Sequence, residues 1–276
     1  MNTILVLTDF SETSSYATLY ACVLSKQLNI KSLVLYHSYQ NVVATGENIT
    51  LISDEQHLRQ EVLKQLRLQR EEILSQLPAG TIVRFSTGTT ELDKINDVAG
   101  QEGAWLIVMG TTGKNKMQDI FLGSNALNVC KASRLPVILV PAHIAMEPVK
   151  RIIFAVDSKN LDSELPEALI KKMLEIFKVP VSLVSVSNET RNNAAENGEH
   201  VKKIKELLIT YDPPYHSIVH KDAATAILEF ASGYQSPLIM LLALEHSFPG
   251  GLLHKSVMRQ LADKSTSPLL VLNEFV

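Results

Sequence analysis

Short runs of consecutive apolar residues, rich in Val, Ile and Leu, alternate along this chain with longer stretches whose apolar positions recur at helical spacing. Unbroken apolar runs suit strands buried on both faces, and helical stretches between them suit crossovers, so the pattern predicts βαβ units around a parallel sheet. In the first half, strands are expected near 3–8, 31–37, 81–87, 104–109 and 136–140. Tyr16, Tyr20, Val23, Leu24 and Leu28 fall at i, i+4, i+7, i+8 and i+12, which predicts one buried face of a helix between the first two strands. A second helix is expected to begin near the capping-box pattern Ser53-Asp54-Glu55-Gln56, with Leu58, Val62, Leu66, Ile73 and Leu77 along one side and Arg67, Arg70, Glu71 and Glu72 on its solvated face.

The second half repeats the order. Strands are expected near 150–156, 180–186, 214–219, 237–242 and 268–272, with helical stretches beginning near 162, 196, 222 and 253. Leu135-Pro136-Val137-Ile138-Leu139-Val140 aligns without gaps on Ser267-Pro268-Leu269-Leu270-Val271-Leu272, an offset of 268 − 136 = 132. Two prolines, Pro141 and Pro148, flank a short connector, so the reading is of two domains, 1–142 and 149–276. Right-handed crossovers and burial of both faces favour an α/β fold of two tandem doubly wound, Rossmann-like sheets, each of five parallel strands in the order 3-2-1-4-5. Ligands of such sheets bind beyond the carboxyl ends of the strands where the order reverses, here between the first and fourth strands of each half.

Composition narrows the classes of partner. With 26 Lys and Arg against 29 Asp and Glu, the formal net charge is −3, and no global positive field attracts nucleic acid or an anionic membrane. The longest apolar run, Pro237 to Leu244, is far short of the roughly 18–20 residues of a membrane span. Cys22 and Cys130 have no CxxC spacing and read as buried thiols of a reducing cytoplasm. The first residues enter a strand-like run directly, with neither a basic leader nor a small-residue cleavage site, and the expected location is cytoplasmic.

Candidate chemistry follows the first and fourth strands. Met109-Gly110-Thr111-Thr112-Gly113-Lys114-Asn115 is followed by Gly123-Ser124 at the expected start of a helix, giving the spacing G-x2-G-x9-G-S. Gly110 and Gly113 would admit close approach of a ligand to the backbone, and Gly123-Ser124 would offer N–H groups and a hydroxyl at a helix N-terminus. The assembly reads as a phosphate cradle, with Lys114 and Lys116 as nearby countercharges. After the first strand, Leu7-Thr8-Asp9-Phe10-Ser11-Glu12-Thr13-Ser14 places the Asp9 carboxylate beside that cradle, where it suits a pair of ribose hydroxyls.

The segment TDFSETS, and G-x2-G-x9-G-S followed by PVILV, resemble the ATP-binding branch of the universal stress protein family. The resemblance implies that Thr8 and Asp9 meet adenosine and that Ser38, in Leu35-Tyr36-His37-Ser38, lines the adenine site. It implies further that Met109, Gly110 and Thr111 line adenosine and phosphate, while Gly113, Gly123, Ser124 and Asn125 hold phosphates. ATP is the implied cofactor, with or without Mg, and family members pair through their last strands. An internal pseudo-dimer of the two domains is therefore expected, with further homo-oligomerisation left open. Ser38 departs from the family's usual apolar residue, and Gln40 to Ile52 reads as a long connector rather than a lid.

The second half loses the cradle. At the offset of 132, Gly110 falls on Leu242, Gly113 on Glu245, Gly123 on Lys255 and Ser124 on Ser256, while Asp157 stands where Asp9 does. Side chains and a carboxylate would then obstruct or repel phosphate. His216, His220, His246 and His254 match no compact zinc spacing, and no metal site is expected. Three functions remain in view: a nucleotide-binding stress-response or regulatory protein, a slow ATPase, and a scaffold in which nucleotide is incidental. GxxxxGK[ST] is absent and no catalytic residue is assigned, so hydrolysis is expected to be slow at most.

Overall fold

The structure, a computed structural model, describes residues 2–39, 55–88, 94–111, 124–156, 165–187, 199–243 and 255–273. The first half runs β1 (Thr3–Leu7), α1 (Glu12–Gln27), β2 (Ser32–Ser38), α2 (Glu55–Leu74), β3 (Ile82–Gly88), α3 (Ile95–Glu102), β4 (Leu106–Gly110), α4 (Ser124–Ala132) and β5 (Val137–Val140). The second runs β6 (Arg151–Ala155), α5 (Glu167–Phe177), β7 (Val181–Ser187), α6 (Glu199–Leu207), β8 (Tyr215–Val219), α7 (Ala223–Ser232), β9 (Pro237–Ala243), α8 (Lys255–Lys264) and β10 (Leu269–Asn273). Each expected apolar run overlaps one of these strands. Their order is β3-β2-β1-β4-β5-β10-β9-β6-β7-β8. The architecture is α/β and Rossmann-like, each half has the expected order 3-2-1-4-5, and pairing of the last strands β5 and β10 joins the halves in one ten-stranded sheet.

Register relates the two halves residue by residue. Ile4 on β1 lies opposite Leu33 and Leu106, and Ile152 on β6 lies opposite Val181 and Leu238. The offset is thus 152 − 4 = 148 for the first two strands of each half, but 238 − 106 = 132 for the fourth. For the third strands, the pairs Leu35–Phe85 and Leu183–Tyr215 give 215 − 85 = 130. The path from β2 to β3 is therefore 148 − 130 = 18 residues longer than its counterpart, and the expected connector Gln40 to Ile52 falls within it, outside the described residues.

Right-handed crossovers put α1 and α2 on one face of the sheet and α3 and α4 on the other, and each pair is in contact. The face α1 turns to the sheet differs from the expected stripe. Thr13, Ser14, Ala17, Thr18, Tyr20, Ala21 and Leu24 are buried, whereas Tyr16, Val23 and Leu28 are only half-buried. Small side chains let the helix lie close, and their hydroxyls are satisfied within it: Thr18 Oγ1 donates to the Ser14 carbonyl at 2.9 Å and Ser25 Oγ to that of Ala21 at 2.7 Å. Gln69 of α2 donates to Thr18 Oγ1 at 3.0 Å and ties the two helices together. On α2, Val62, Leu66 and Ile73 are buried as expected, while the capping residues Ser53 and Asp54 lie outside the described residues.

At Gly110 α1 lies directly against the end of β4. A Cβ placed there would lie 2.9 Å from Thr13 Cγ2 and 3.0 Å from the Thr13 backbone carbonyl, contacts that side chains do not make. The register counterpart of Gly110 is Leu242, since Val140 lies opposite Gly110 and Leu272 opposite Leu242. Leu242 is buried, and α5 begins only at Glu167, with Leu165 and Pro166 outside it, instead of near 162 as expected. Pro166 suits this start, because its fixed φ and missing N–H are tolerated at a helix entrance but not in its interior.

Strands β5 and β10 pair antiparallel at the middle of the sheet, Leu139 with Leu269, Ile138 with Leu270 and Val137 with Val271; all other neighbouring pairs are parallel. The connector between β5 and β6 is fixed by side chains. Gln27 at the end of α1 exchanges two hydrogen bonds with the Val149 backbone, and Glu147 Oε2 accepts from Ser236 Oγ at 2.6 Å and Gln235 Nε2 at 3.1 Å. Those two bonds, and then Lys150, hold the Glu147 carboxyl below its ordinary pKa. Whatever stability it adds is present above the ordinary carboxylate range and is lost as pH falls through the lowered pKa.

Two outcomes follow from this packing. Gly110→Ala should destabilise the fold by about 1–3 kcal/mol, the usual cost of overpacking against atoms that cannot yield; a denaturation midpoint equal to wild type would show that Thr13 does not crowd this position. Cys22 and Cys130 are both buried, and burial pushes each thiol up to about 12, against a smaller lowering effect of Lys26 on Cys22. Neither should react with a disulfide reagent at neutral pH until denaturant is added, when two thiols per chain should titrate.

Candidate functional site

The exit from β1 is a turn tied by its own polar side chains. Thr8 N–H donates to the Tyr36 carbonyl at 2.9 Å, continuing the ladder one residue past the strand. Thr8 Oγ1 then accepts from Phe10 N–H at 3.2 Å and lies 3.2 Å from Ser14 Oγ. Asp9 Oδ1 accepts from Ser11 N–H at 3.1 Å, and Ser11 caps α1 by accepting from Ser14 N–H at 3.2 Å. Phe10 sits in the left-handed region at φ 59, which turns the chain from strand to helix. Thr8, Asp9 and Ser11 thus each have a local job in starting α1, separate from any ligand.

Two strands join at this turn. His37 on β2 lies 2.7 Å from the Thr8 carbonyl through Nδ1, which requires the tautomer bearing hydrogen there, and its ring stacks on Phe10 with centroids 4.5 Å apart. Leu7 is opposite Met109, so Asp9 and Thr111 leave adjacent strands at the same level. Met109 and Thr111 are buried, Asp9 is half-buried, and Thr111 N–H donates to the Val140 carbonyl at 3.1 Å.

The candidate residues therefore separate into three groups. Thr8, Asp9, Met109, Gly110 and Thr111 gather where the strand order reverses, at the carboxyl ends of β1 and β4. Ser38 ends β2, one strand further from that point, half-buried and opposite Gly88. Ser124 opens α4 as expected, and Asn125 in its first turn is exposed; Gly113, Lys114, Lys116 and Gly123 lie outside the described residues. The first N–H groups of a helix have no partner within it and its dipole is positive at that end, so the start of α4, a helix of nine residues, is a place that suits an anion. The missing Cβ of Gly110 is accounted for by Thr13, so closeness to a phosphate is not needed to explain this glycine.

Sequence reasoning passed over His37 and Phe10. Their signal is strand parity: Val6 lies opposite Leu35, so Thr8 and His37 point from the same face of the sheet.

At the corresponding place in the second half, buried Leu242 precedes Ala243, and Lys255 opens α8; Asp157, Glu245, His246 and His254 lie outside the described residues. His216 packs on Phe230 at 4.7 Å, and His220 Nδ1 is 3.0 Å from the N–H of Asp222, which caps α7. Both have local partners of this kind. Among the described residues no three His, Cys, Asp or Glu side chains are grouped to hold a metal ion, and no helix is long and apolar enough to cross a membrane.

Comparison with known proteins bears on the fold and the family. The chain is 31% identical over 151 residues to universal stress protein MJ0531 of Methanocaldococcus jannaschii, covering 50% of this chain and 80% of that protein. It is 28% identical over 152 residues to universal stress protein MJ0577 of the same organism, covering 50% and 93%. Over its whole length it shares its fold with the crystal structure of a universal stress protein from Archaeoglobus fulgidus, at TM-score 0.67 and 17% identity, covering 99% of this chain and 98% of that one. Residues 1–141 match the model of the universal stress protein family, and the chain belongs to that family.

Proposed function

We propose that this chain is a tandem universal stress protein that binds one ATP, held by the first of its two domains, and serves a regulatory or stress-response role in the cytoplasm. The domains are 1–142 and 149–276, paired as an internal pseudo-dimer across β5 and β10. The observation that supports the reading is that Asp9, two residues past the end of β1, leaves the sheet level with Gly110 and Thr111 at the end of the neighbouring β4, where the strand order reverses. A ligand lying across those ends has a carboxylate for a ribose on one side and the N-terminus of α4 for its phosphates on the other.

In this reading Thr8, Asp9 and Ser38 contact the nucleoside, Met109, Gly110 and Thr111 line adenosine and phosphate, and Gly113, Gly123, Ser124 and Asn125 hold the phosphates. Magnesium would enter with the nucleotide. The second domain does not bind, because Leu242, Glu245 and Lys255 replace the three glycines. Leu242 supports this most directly, being a buried side chain at the register position of Gly110.

Titration calorimetry with MgATP on the whole chain should give a stoichiometry near one. Gly113→Glu, which brings the second domain's residue into the first, should abolish the binding. Two equivalent sites, or a site indifferent to Gly113→Glu, would count against the glycine loop, and no heat of binding at all would sink the nucleotide reading.

Turnover is expected to be slow or absent. Phosphoryl transfer needs a positioned nucleophile and stabilisation of the transferring group, and Asp9, a carboxylate near this site, already bonds the Ser11 backbone. ADP release at about 1 per second or faster, the range of ordinary enzymes, would show that this chain is an ATPase.

A further inference from the structure

The two helices that begin at the candidate site are held at their far ends partly by groups from outside the first domain, although at the end of α4 Asn96 of α3 also donates to the Ala132 carbonyl at 2.6 Å and accepts from the Arg134 N–H at 2.7 Å. Gln27, the last residue of α1, donates from Nε2 to the Val149 carbonyl at 2.8 Å and accepts at Oε1 from the Val149 N–H at 2.9 Å, two residues before β6. Asn273, the last residue of β10, donates its side-chain amide to the carbonyls of Cys130 and Ser133 at the C-terminal end of α4. The last carbonyls of a helix have no partner within it, and Asn273 supplies donors to them from a position only 3% exposed.

This contact has no return. At the offset of 132 the residue corresponding to Asn273 is Pro141, and a proline ring offers no donor to the end of α8. The half with a buried leucine at its strand end thus grips the half with a glycine there, and from this position the grip runs one way.

We propose that the second half is a positioning module for the nucleotide site of the first, acting through Asn273 on α4 and through Gln27 and Val149 on α1. The inference rests on the nucleotide reading above. Short helices transmit tilt: α4, with nine residues, is roughly 13 Å long, so a rotation of about ten degrees at its C-terminal end displaces its N-terminal N–H groups by roughly 2 Å. Hydrogen bonds to a phosphate do not survive such a shift. Asn273 and Gln27 are positioning residues, remote from the ligand. By reciprocity, nucleotide that favours one placement of α1 and α4 must also favour the contacts that hold their far ends.

The test is amide hydrogen exchange of the full-length chain with and without MgATP, together with ATP affinities of Asn273→Leu and Gln27→Ala measured where circular dichroism shows each variant folded. Nucleotide is expected to slow exchange at the site and also at Val149, whose N–H is the one bonded to Gln27, and at the end of β10. Each variant should weaken ATP about two- to tenfold, the range that one net hydrogen bond corresponds to, and should lose the distant protection on its own arm. A merely structural role would lower the unfolding temperature and leave ATP affinity unchanged. If Asn273→Leu does not fold, Gln27→Ala carries the same comparison through the connector. Protection confined to residues before 141, or wild-type affinity in the folded variants, would overturn the proposal while leaving nucleotide binding intact. Absence of any ATP-dependent protection would remove the nucleotide reading, and this inference with it.

Discussion

The antiparallel ladder between β5 and β10 is the constraint on which the rest of the molecule rests. Val137 to Val140 and Leu269 to Leu272 are apolar strands, and left at an edge each would present an unpaired row of N–H and C=O groups on a sticky surface. Pairing them buries both edges at once and leaves β3 and β8 as the outer strands. Those are less apolar: β3 carries exposed Arg84, bonded to Glu102, and β8 alternates half-buried and exposed positions. The connector and the Asn273 contact can form only because this ladder brings the two halves side by side.

Within that frame the halves diverge through volume at one strand end. Gly110 lets α1 descend until Thr13 touches the sheet, and the small residues along α1 continue the close contact. Leu242 fills the equivalent position, and the helix that follows β6 begins beyond Pro166. A single side chain at a strand terminus thereby goes with a different approach of a whole helix, because packed interiors do not accommodate extra methylenes without moving something. The proposed asymmetry of nucleotide binding has its physical root here as much as in the phosphate loop.

Much of this was legible in the chain. Apolar runs located the inner strands most plainly, as at β1, β4, β5 and β10, since burial on both faces of a sheet leaves no room for polar alternation, whereas the outer β3 and β8 carry polar positions. At the exit of β1 the bonds by which Thr8, Asp9 and Ser11 turn the chain and start α1 emerge in the structure, whereas the place of the Asp9 carboxylate was legible. The face of α1 was not, because periodicity ranks residues by hydrophobicity, whereas a helix pressed close to a sheet selects small ones, and Tyr16 and Val23 gave way to Ala17 and Thr13.

The sequence by itself determined the α/β class, the repeated order of elements and the likeness of its motifs to one family, because these depend on local composition and spacing. Only the tertiary structure decided why Gly110 must be glycine, that His37 and Phe10 stack at the exit of β1, and that Asn273 reaches α4. Each of these joins residues far apart in the chain, Thr13 to Gly110, Phe10 to His37 and Cys130 to Asn273. Such contacts are set by the register of strands and the lie of helices over them, which no local pattern of apolar and polar residues encodes.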